Sequence, residues 1–84
     1  SIPGVMEFAM IALHLLPAYP IEAARVTDAM ITVKERMIQK NVPGARSVAT
    51  EVDARITQLR QNAGASLNHF NRALRNLRKA RQVS

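Results

Sequence analysis

The segment from Ser47 to Gln82 constrains the fold more than any other part of the chain. No proline interrupts it, and its apolar residues recur at spacings of three and four, which is the period of an amphipathic helix. The pattern predicts one long helix over residues 47–82 with an apolar stripe along one side. Gly64 lies in its middle and costs about 1 kcal/mol relative to alanine; it would allow a bend or a close helix neighbour, or it is simply tolerated within the helix. The stripe comprises Val48, Val52, Ile56, Leu59, Ala63, Leu67, Phe70, Leu74 and Leu77.

The other side of this predicted helix is strongly basic. After Asp53 the segment contains seven basic residues and no acidic one. At about 100° per residue, Arg72, Arg75 and Lys79 lie opposite the apolar stripe. A merely solvated face would mix charges of both signs, whereas arginines interspersed with amide side chains suit phosphate oxygens. The sequence therefore predicts a phosphate-binding surface that comprises Arg60, Arg72, Arg75, Arg78, Lys79 and Arg81.

The net positive charge of the chain lies entirely in its second part. The first 44 residues contain four basic and four acidic residues, so the whole net charge of +6 lies in the remainder. Such asymmetry is typical of proteins that bind nucleic acid, an acidic partner or an anionic membrane surface. A smaller basic patch is predicted around the turn before the long helix; it comprises Lys34, Arg36, Lys40 and Arg46.

The first half predicts two further helices. Residues 5–16 are apolar on nearly every side, and Pro17 and Pro20 bend or break the chain before a second, amphipathic helix over residues 21–41. Asn41-Val42-Pro43-Gly44 is the strongest turn signal, so a turn is predicted over residues 42–46. The predicted fold of residues 1–84 is a single all-α unit: an antiparallel helical hairpin of two long arms, of which the first is kinked at Pro17-Pro20.

A hairpin of two helices cannot enclose the apolar side chains of its first arm. Since large apolar side chains gain about 1.5–3 kcal/mol each on burial, we expect many copies of the chain to pack into a helical assembly. The residues predicted to form the contacts between copies are Val5, Phe8, Met10, Ile11, Leu13, Leu15, Leu16, Met30 and Met37.

Few residues could support catalysis or metal binding. The chain has no cysteine, and its two histidines, His14 and His69, lie on different arms. Glu7 and His14 are seven residues apart on one helix face, which most simply places them in a polar seam between packed helices or in a hydrogen-bonded pair at an interface. We therefore predict no enzyme activity, no cofactor and no metal site. No base-reading motif is present, so nucleic-acid binding would be independent of sequence and sensitive to salt.

Neither a membrane-spanning helix nor a cleavable signal peptide is predicted. The apolar run over residues 5–16 is too short for a bilayer, which needs about 20 residues. A basic n-region and a small-residue cleavage pattern, which mark a cleavable signal peptide, are not evident either.

Taken together, these features resemble the very small all-helical major capsid proteins of rod-shaped and bacilliform archaeal double-stranded DNA viruses, above all the clavavirus type. The resemblance rests on chain size, the turn at Asn41-Val42-Pro43-Gly44, the apolar segment Val5–Leu16 and the basic segment Arg55–Arg81. It implies a structural protein of the virion, whose helical capsid has cationic residues facing the genome. The partners would be other copies of the chain and the backbone of double-stranded DNA.

Two other functions fit the same pattern. A small membrane-associated accessory subunit would lay residues 5–16 in the membrane interface and its basic arm on anionic lipid. A nucleoid-type protein would coat DNA as a soluble dimer or tetramer.

Overall fold

The computed structural model describes the backbone of residues 2–83 and the side chains of residues 4–83. Its regular elements are the helices α1 (Ile2–Leu15), α2 (Pro20–Gln39), α3 (Ala45–Asn62) and α4 (Leu67–Gln82), with a 3₁₀ turn at Gly64–Ser66 between the last two. The predicted all-α class is confirmed for this part of the chain. The four helices form a flattened bundle of 37 × 29 × 15 Å, so the predicted arms of 36 and 37 residues, which would each run about 55 Å, are not extended rods.

The break predicted at Pro17-Pro20 is present and reverses the direction of the chain. α1 ends at Leu15, whose carbonyl accepts hydrogen bonds from the N–H groups of Ala18 and Tyr19 at 3.2 and 2.7 Å. Pro20 opens α2, where its missing N–H costs nothing. Val5 near the start of α1 lies in the same apolar cluster as Met30 in the middle of α2, because α2 runs back along α1. The first arm is therefore a pair of packed helices and not one kinked rod.

The prediction of a single helix over residues 47–82 is wrong. α3 ends at Asn62, and Gly64 takes φ +55°, a left-handed conformation that glycine adopts without the penalty of a Cβ atom. The Oγ of Ser66 donates a hydrogen bond to the carbonyl of Pro17 at 3.0 Å, which ties this break to the first one. Leu59 from α3 and Phe70 from α4 lie in the same core cluster, on either side of the bend.

The turn at Asn41–Gly44 is confirmed, with slightly different limits. α2 ends at Gln39, two residues before the predicted end, and α3 begins at Ala45, two residues before the predicted start. Asn41 and Gly44 have φ of 51° and 83°, a left-handed conformation that asparagine and glycine adopt more readily than other residues. The turn leads the chain into α3, which packs against α1 and α2.

The chain encloses its own apolar core in two clusters. The expectation that the first arm needs other copies to bury it is therefore wrong for Val5, Leu16 and Met30, which are 3%, 0% and 0% exposed within one chain. The first cluster comprises Ala12, Leu16, Ala23, Ala24, Leu59, Ala63, Phe70 and Leu74. The second comprises Val5, Ala9, Met30, Val48, Val52 and Ile56.

Candidate nucleic-acid interface

The outward face of α4, formed by Arg72, Arg75 and Lys79, is exposed and cationic. It is held outward because Phe70 and Leu74 on the opposite side of the helix are buried in the core. Within residues 4–83, none of these three cations forms an ion pair. The structure thus places these three predicted phosphate-binding residues together on one accessible surface.

A groove runs between the end of α3 and α4, and we call it the α3–α4 groove. Arg60 lies on its α3 side, where its Nε donates a hydrogen bond across the break to Oδ1 of Asn71 at 3.2 Å. The groove has a volume of about 620 Å³ and an apolar floor of Ile31 and Leu74, and none of the described residues contributes a carboxylate to its lining. Its polar lining residues are Arg60, Asn71, Arg75, Arg78, Lys79 and Gln82.

Arg78 and Arg81, also predicted to bind phosphate, are instead engaged with α2. Arg78 Nη1 donates to Oδ1 of Asp28 at 2.6 Å and to Oγ1 of Thr32 at 3.0 Å, and its Nη2 donates to Glu35. Arg81 donates to the other carboxylate oxygen of Asp28. The Asp28 carboxylate is 4% exposed, so these contacts fasten α4 to α2. In this fold they fix the packing of the helices, which corrects the assignment of the two arginines to a free phosphate-binding surface.

The charges of this cluster stabilise one another. Burial would by itself raise the pKa of Asp28, but the hydrogen bonds and positive charges of Arg81 and Arg78 outweigh it, so the pKa lies below its ordinary value of 3.8. Burial would likewise lower the pKa of Arg78, whereas its hydrogen bonds with Asp28 and Glu35 raise it. Two arginines balance two carboxylates here, so the uncompensated charge of the interface comes from Arg60, Arg72, Arg75 and Lys79.

Sequence reasoning missed Asp28, although the sequence contains a signal for it. Asp28 lies four residues after Ala24 and three before Ile31, both on the apolar side of α2. A single carboxylate at that spacing, in a chain with an excess of arginine, indicates a buried ion pair.

The smaller basic patch predicted around the turn is divided by the fold. Lys34 Nζ is 3.1 Å from Oδ1 of Asp53 and is thereby neutralised. Arg36 lines a groove between α2 and the end of α4, whereas Arg46 lines another beside the turn. Lys40 is exposed beyond the end of α2. These four residues therefore do not form one site.

The remaining residues that were predicted to contact other copies of the chain differ in how far they are buried. Phe8, Met10 and Ile11 are 37%, 68% and 50% exposed, and with Met6 they form what we call the outer face of α1. Leu13 and Leu15 are partly buried against the first core cluster, and Met37 against the second. These apolar side chains lie around the exposed Glu7 and His14 on the same helix, and a group of exposed apolar residues on a small domain is typical of an interaction surface.

Glu7 and His14 are exposed on α1 and do not form a seam between helices of the chain. Within the part of the chain that the structure describes, no group of three or more histidine, aspartate or glutamate side chains is placed to hold a metal ion. Among the same residues, no helix has the length and apolarity needed to cross a membrane.

Comparison of the chain with protein families, curated proteins and solved structures gives no match.

Proposed function

We propose that this chain is a structural DNA-binding protein of the capsid type. It would bind the phosphodiester backbone through the outward face of α4 and Arg60, and it would associate with copies of itself through the outer face of α1. The observation that carries the proposal is the separation of charge on α4. The carboxylates of Asp28, Glu35, Glu51 and Asp53 pair with other cations and leave Arg72, Arg75 and Lys79 free of ion pairs in the described residues.

The outward face of α4 has dimensions that suit a nucleic-acid backbone. Arg72 and Lys79 are seven residues apart, or roughly 10 Å along the helix axis, which equals the axial rise of about three base pairs of a duplex. Forked guanidinium groups bind phosphate oxygens in pairs. The exposed aromatic residues, Phe8 and Tyr19, belong to α1 and the loop after it and not to this face. Binding would therefore depend on charge and shape and not on base stacking.

Self-association would use the outer face of α1. The chain already encloses a core, so a single copy can fold and assembly need not supply its stability. Met10 and Ile11 are nevertheless 68% and 50% exposed, and burying the exposed part of each against another copy would gain about 1–2 kcal/mol. Many weak contacts of this kind, repeated along DNA, would give a coat whose formation depends on the genome that it covers.

Titration of a fluorescently labelled duplex of random sequence with the full chain tests the DNA-binding part. We expect the logarithm of the binding constant to fall linearly with the logarithm of salt concentration and to be the same for unrelated sequences. Replacing Arg72, Arg75 and Lys79 together by glutamine should reduce that salt slope by about 2–3, since each phosphate contact contributes about 0.9. Circular dichroism should show unchanged helix content. An unchanged slope in the triple variant would exclude this face as the binding surface.

Electron microscopy of the chain with and without long DNA tests the capsid part. Regular rods of defined diameter, protecting the DNA from nuclease, are expected for a coat protein. Irregular coated DNA would instead favour the nucleoid-type function, and bare DNA would contradict both.

The outer face of α1 also supports a second function, that of a membrane-associated subunit. Met6, Met10 and Ile11 could enter the lipid interface while the basic α4 contacts anionic headgroups. Flotation with anionic vesicles distinguishes the membrane-associated function from the coat-protein function. Co-flotation that survives high salt supports the membrane-associated function. DNA binding without co-flotation supports the coat-protein function.

A further inference from the structure

We infer that the α3–α4 groove is a phosphate clamp, in which one phosphodiester group of a nucleic-acid backbone lies between the guanidinium of Arg60 and the side chains of Arg75 and Lys79. The inference rests on the proposed function and adds to it a defined site, a distinct role for Arg60 and a positioning residue, Asn71.

The bend at Gly64 creates this site. In an uninterrupted helix Arg60 and Arg75 would be separated by 15 residues, or roughly 22 Å along the axis, and could not contact the same phosphate. In the folded chain both line one groove, together with Lys79. The bend thus converts a row of cations along a rod into a concave site with positive charge on two sides.

Asn71 orients Arg60 without neutralising it. The hydrogen bond from Arg60 Nε to Asn71 Oδ1 uses one N–H and leaves the two terminal nitrogens of the guanidinium for a ligand. Arg55 on the same helix shows the contrast, because its Nε is bound to the carboxylate of Glu51 at 3.0 Å and its Nη1 to Gln58. A neutral amide acceptor beside Arg60 keeps the full positive charge available for an anion.

The rest of the groove suits a sugar–phosphate chain better than a free anion. Ile31 and Leu74 form an apolar floor that can contact a deoxyribose, and Gln82 supplies an amide at the edge. Arg78 also lines the groove, but its guanidinium is held by Asp28 and Glu35, so we assign it to the wall of the site. The uncompensated charge of the groove is therefore that of Arg60, Arg75 and Lys79.

The test is a set of single variants of the full chain, measured by fluorescence anisotropy with a labelled random-sequence duplex at several salt concentrations. Arg60→Gln should weaken binding roughly tenfold at about 0.1 M salt, the loss expected for a hydrogen-bonded charge, and lower the salt slope by about 1. Arg60→Lys should restore the slope but only part of the affinity, because an ammonium lacks the fork.

Two further variants separate positioning from charge. Asn71→Ala should weaken binding several-fold with an unchanged slope, because it frees the Arg60 side chain without removing a charge. Arg25→Gln is the matched control: Arg25 is exposed on α2, forms no ion pair among the described residues and lines none of the grooves above. It should change the dissociation constant less than twofold.

A second measurement detects anion binding in the groove in the absence of DNA. In ¹⁵N NMR, inorganic pyrophosphate should shift the Arg60 Nε–H and the Asn71 side-chain amide signals saturably. If the wild-type chain binds DNA but Arg60→Gln and Arg25→Gln weaken it equally, and pyrophosphate leaves Arg60 unmoved, the clamp is refuted while the proposed function stands. If pyrophosphate shifts these signals but the chain shows no salt-dependent DNA binding, the groove is an anion site and the nucleic-acid assignment is refuted.

Discussion

Replacing Asp28 by asparagine tests the view that α4 is held on α2 by a buried ion-pair cluster. The substitution keeps the size of the side chain and removes its charge. It leaves Arg78, whose side chain is 20% exposed, with Glu35 as its remaining carboxylate, and it removes the Asp28 contact of Arg81, whose side chain is 45% exposed.

The expected cost follows from this geometry. Removing one partner of a fully buried pair costs about 3–5 kcal/mol. Because Glu35 and solvent compensate part of the loss here, we expect the free energy of unfolding to fall by about 2–3 kcal/mol. A domain of this length has a total stability of about 4–12 kcal/mol, and each kcal/mol shifts its Tm by about 4–8 °C. The Asp28→Asn variant should therefore melt about 10–20 °C below the wild-type chain.

Thermal and urea denaturation followed by circular dichroism measure this effect at pH 7. Asp53→Asn is the matched control, because Asp53 is 67% exposed and its ion-pair partner among residues 4–83 is Lys34 alone; an exposed pair contributes about 0–1 kcal/mol. Equal destabilisation by the two variants would refute the reasoning, since the cluster would then contribute no more than a surface ion pair.

The pH dependence provides a second readout of the same cluster. The pKa of Asp28 is lower in the folded chain than its ordinary value of 3.8. Its contribution to stability is therefore present above pH 3.8 and is lost as the pH falls toward the folded-state pKa. The wild-type chain should lose stability over this acidic range, and Asp28→Asn should lose less of it. Parallel acid transitions would contradict the assignment.

Two further predictions concern the bend and the outer face of α1. Gly64→Ala should destabilise the chain by about 1–2 kcal/mol in urea denaturation, because φ is +55° although no atom lies within 4 Å of the added Cβ; a stabilised variant would show that the left-handed bend is not required. Met10→Asp should lower self-association in analytical ultracentrifugation without changing the Tm, because Met10 is 68% exposed. Leu16→Asp, which places a charge in the core, should instead unfold the chain, and unchanged association of a folded Met10→Asp variant would remove the outer face of α1 from the assembly contacts.

The sequence determined where helices form and which side of α4 faces outward. Spacings of three and four predicted helical segments throughout, and Pro17, Pro20 and the Asn41–Gly44 turn placed two of the three breaks, because these residues act on the backbone locally. The same periodicity placed Arg72, Arg75 and Lys79 opposite Phe70 and Leu74, and the structure shows those cations exposed and those apolar residues buried.

Only the tertiary structure decided how the helices are folded over one another. Gly64 costs a straight helix about 1 kcal/mol, which is too little to predict a break from the sequence; burial of Leu59 and Phe70 in a common core outweighs it. Together with the reversal at Pro17-Pro20, the same bend lets one chain bury its own apolar residues, and it places Arg60 and Arg75 in the lining of one groove.

Tertiary contacts also decided which arginines form ion pairs and which remain exposed. Arg78 and Arg81 lie 50 and 53 residues from Asp28 in the chain, so no local pattern distinguishes them from Arg75 and Lys79. Packing α4 on α2 buries one carboxylate, and a buried carboxylate requires positive partners because its desolvation is otherwise uncompensated. Local sequence set the secondary structure, whereas the need to bury apolar surface and pair that single charge determined which cations remain exposed.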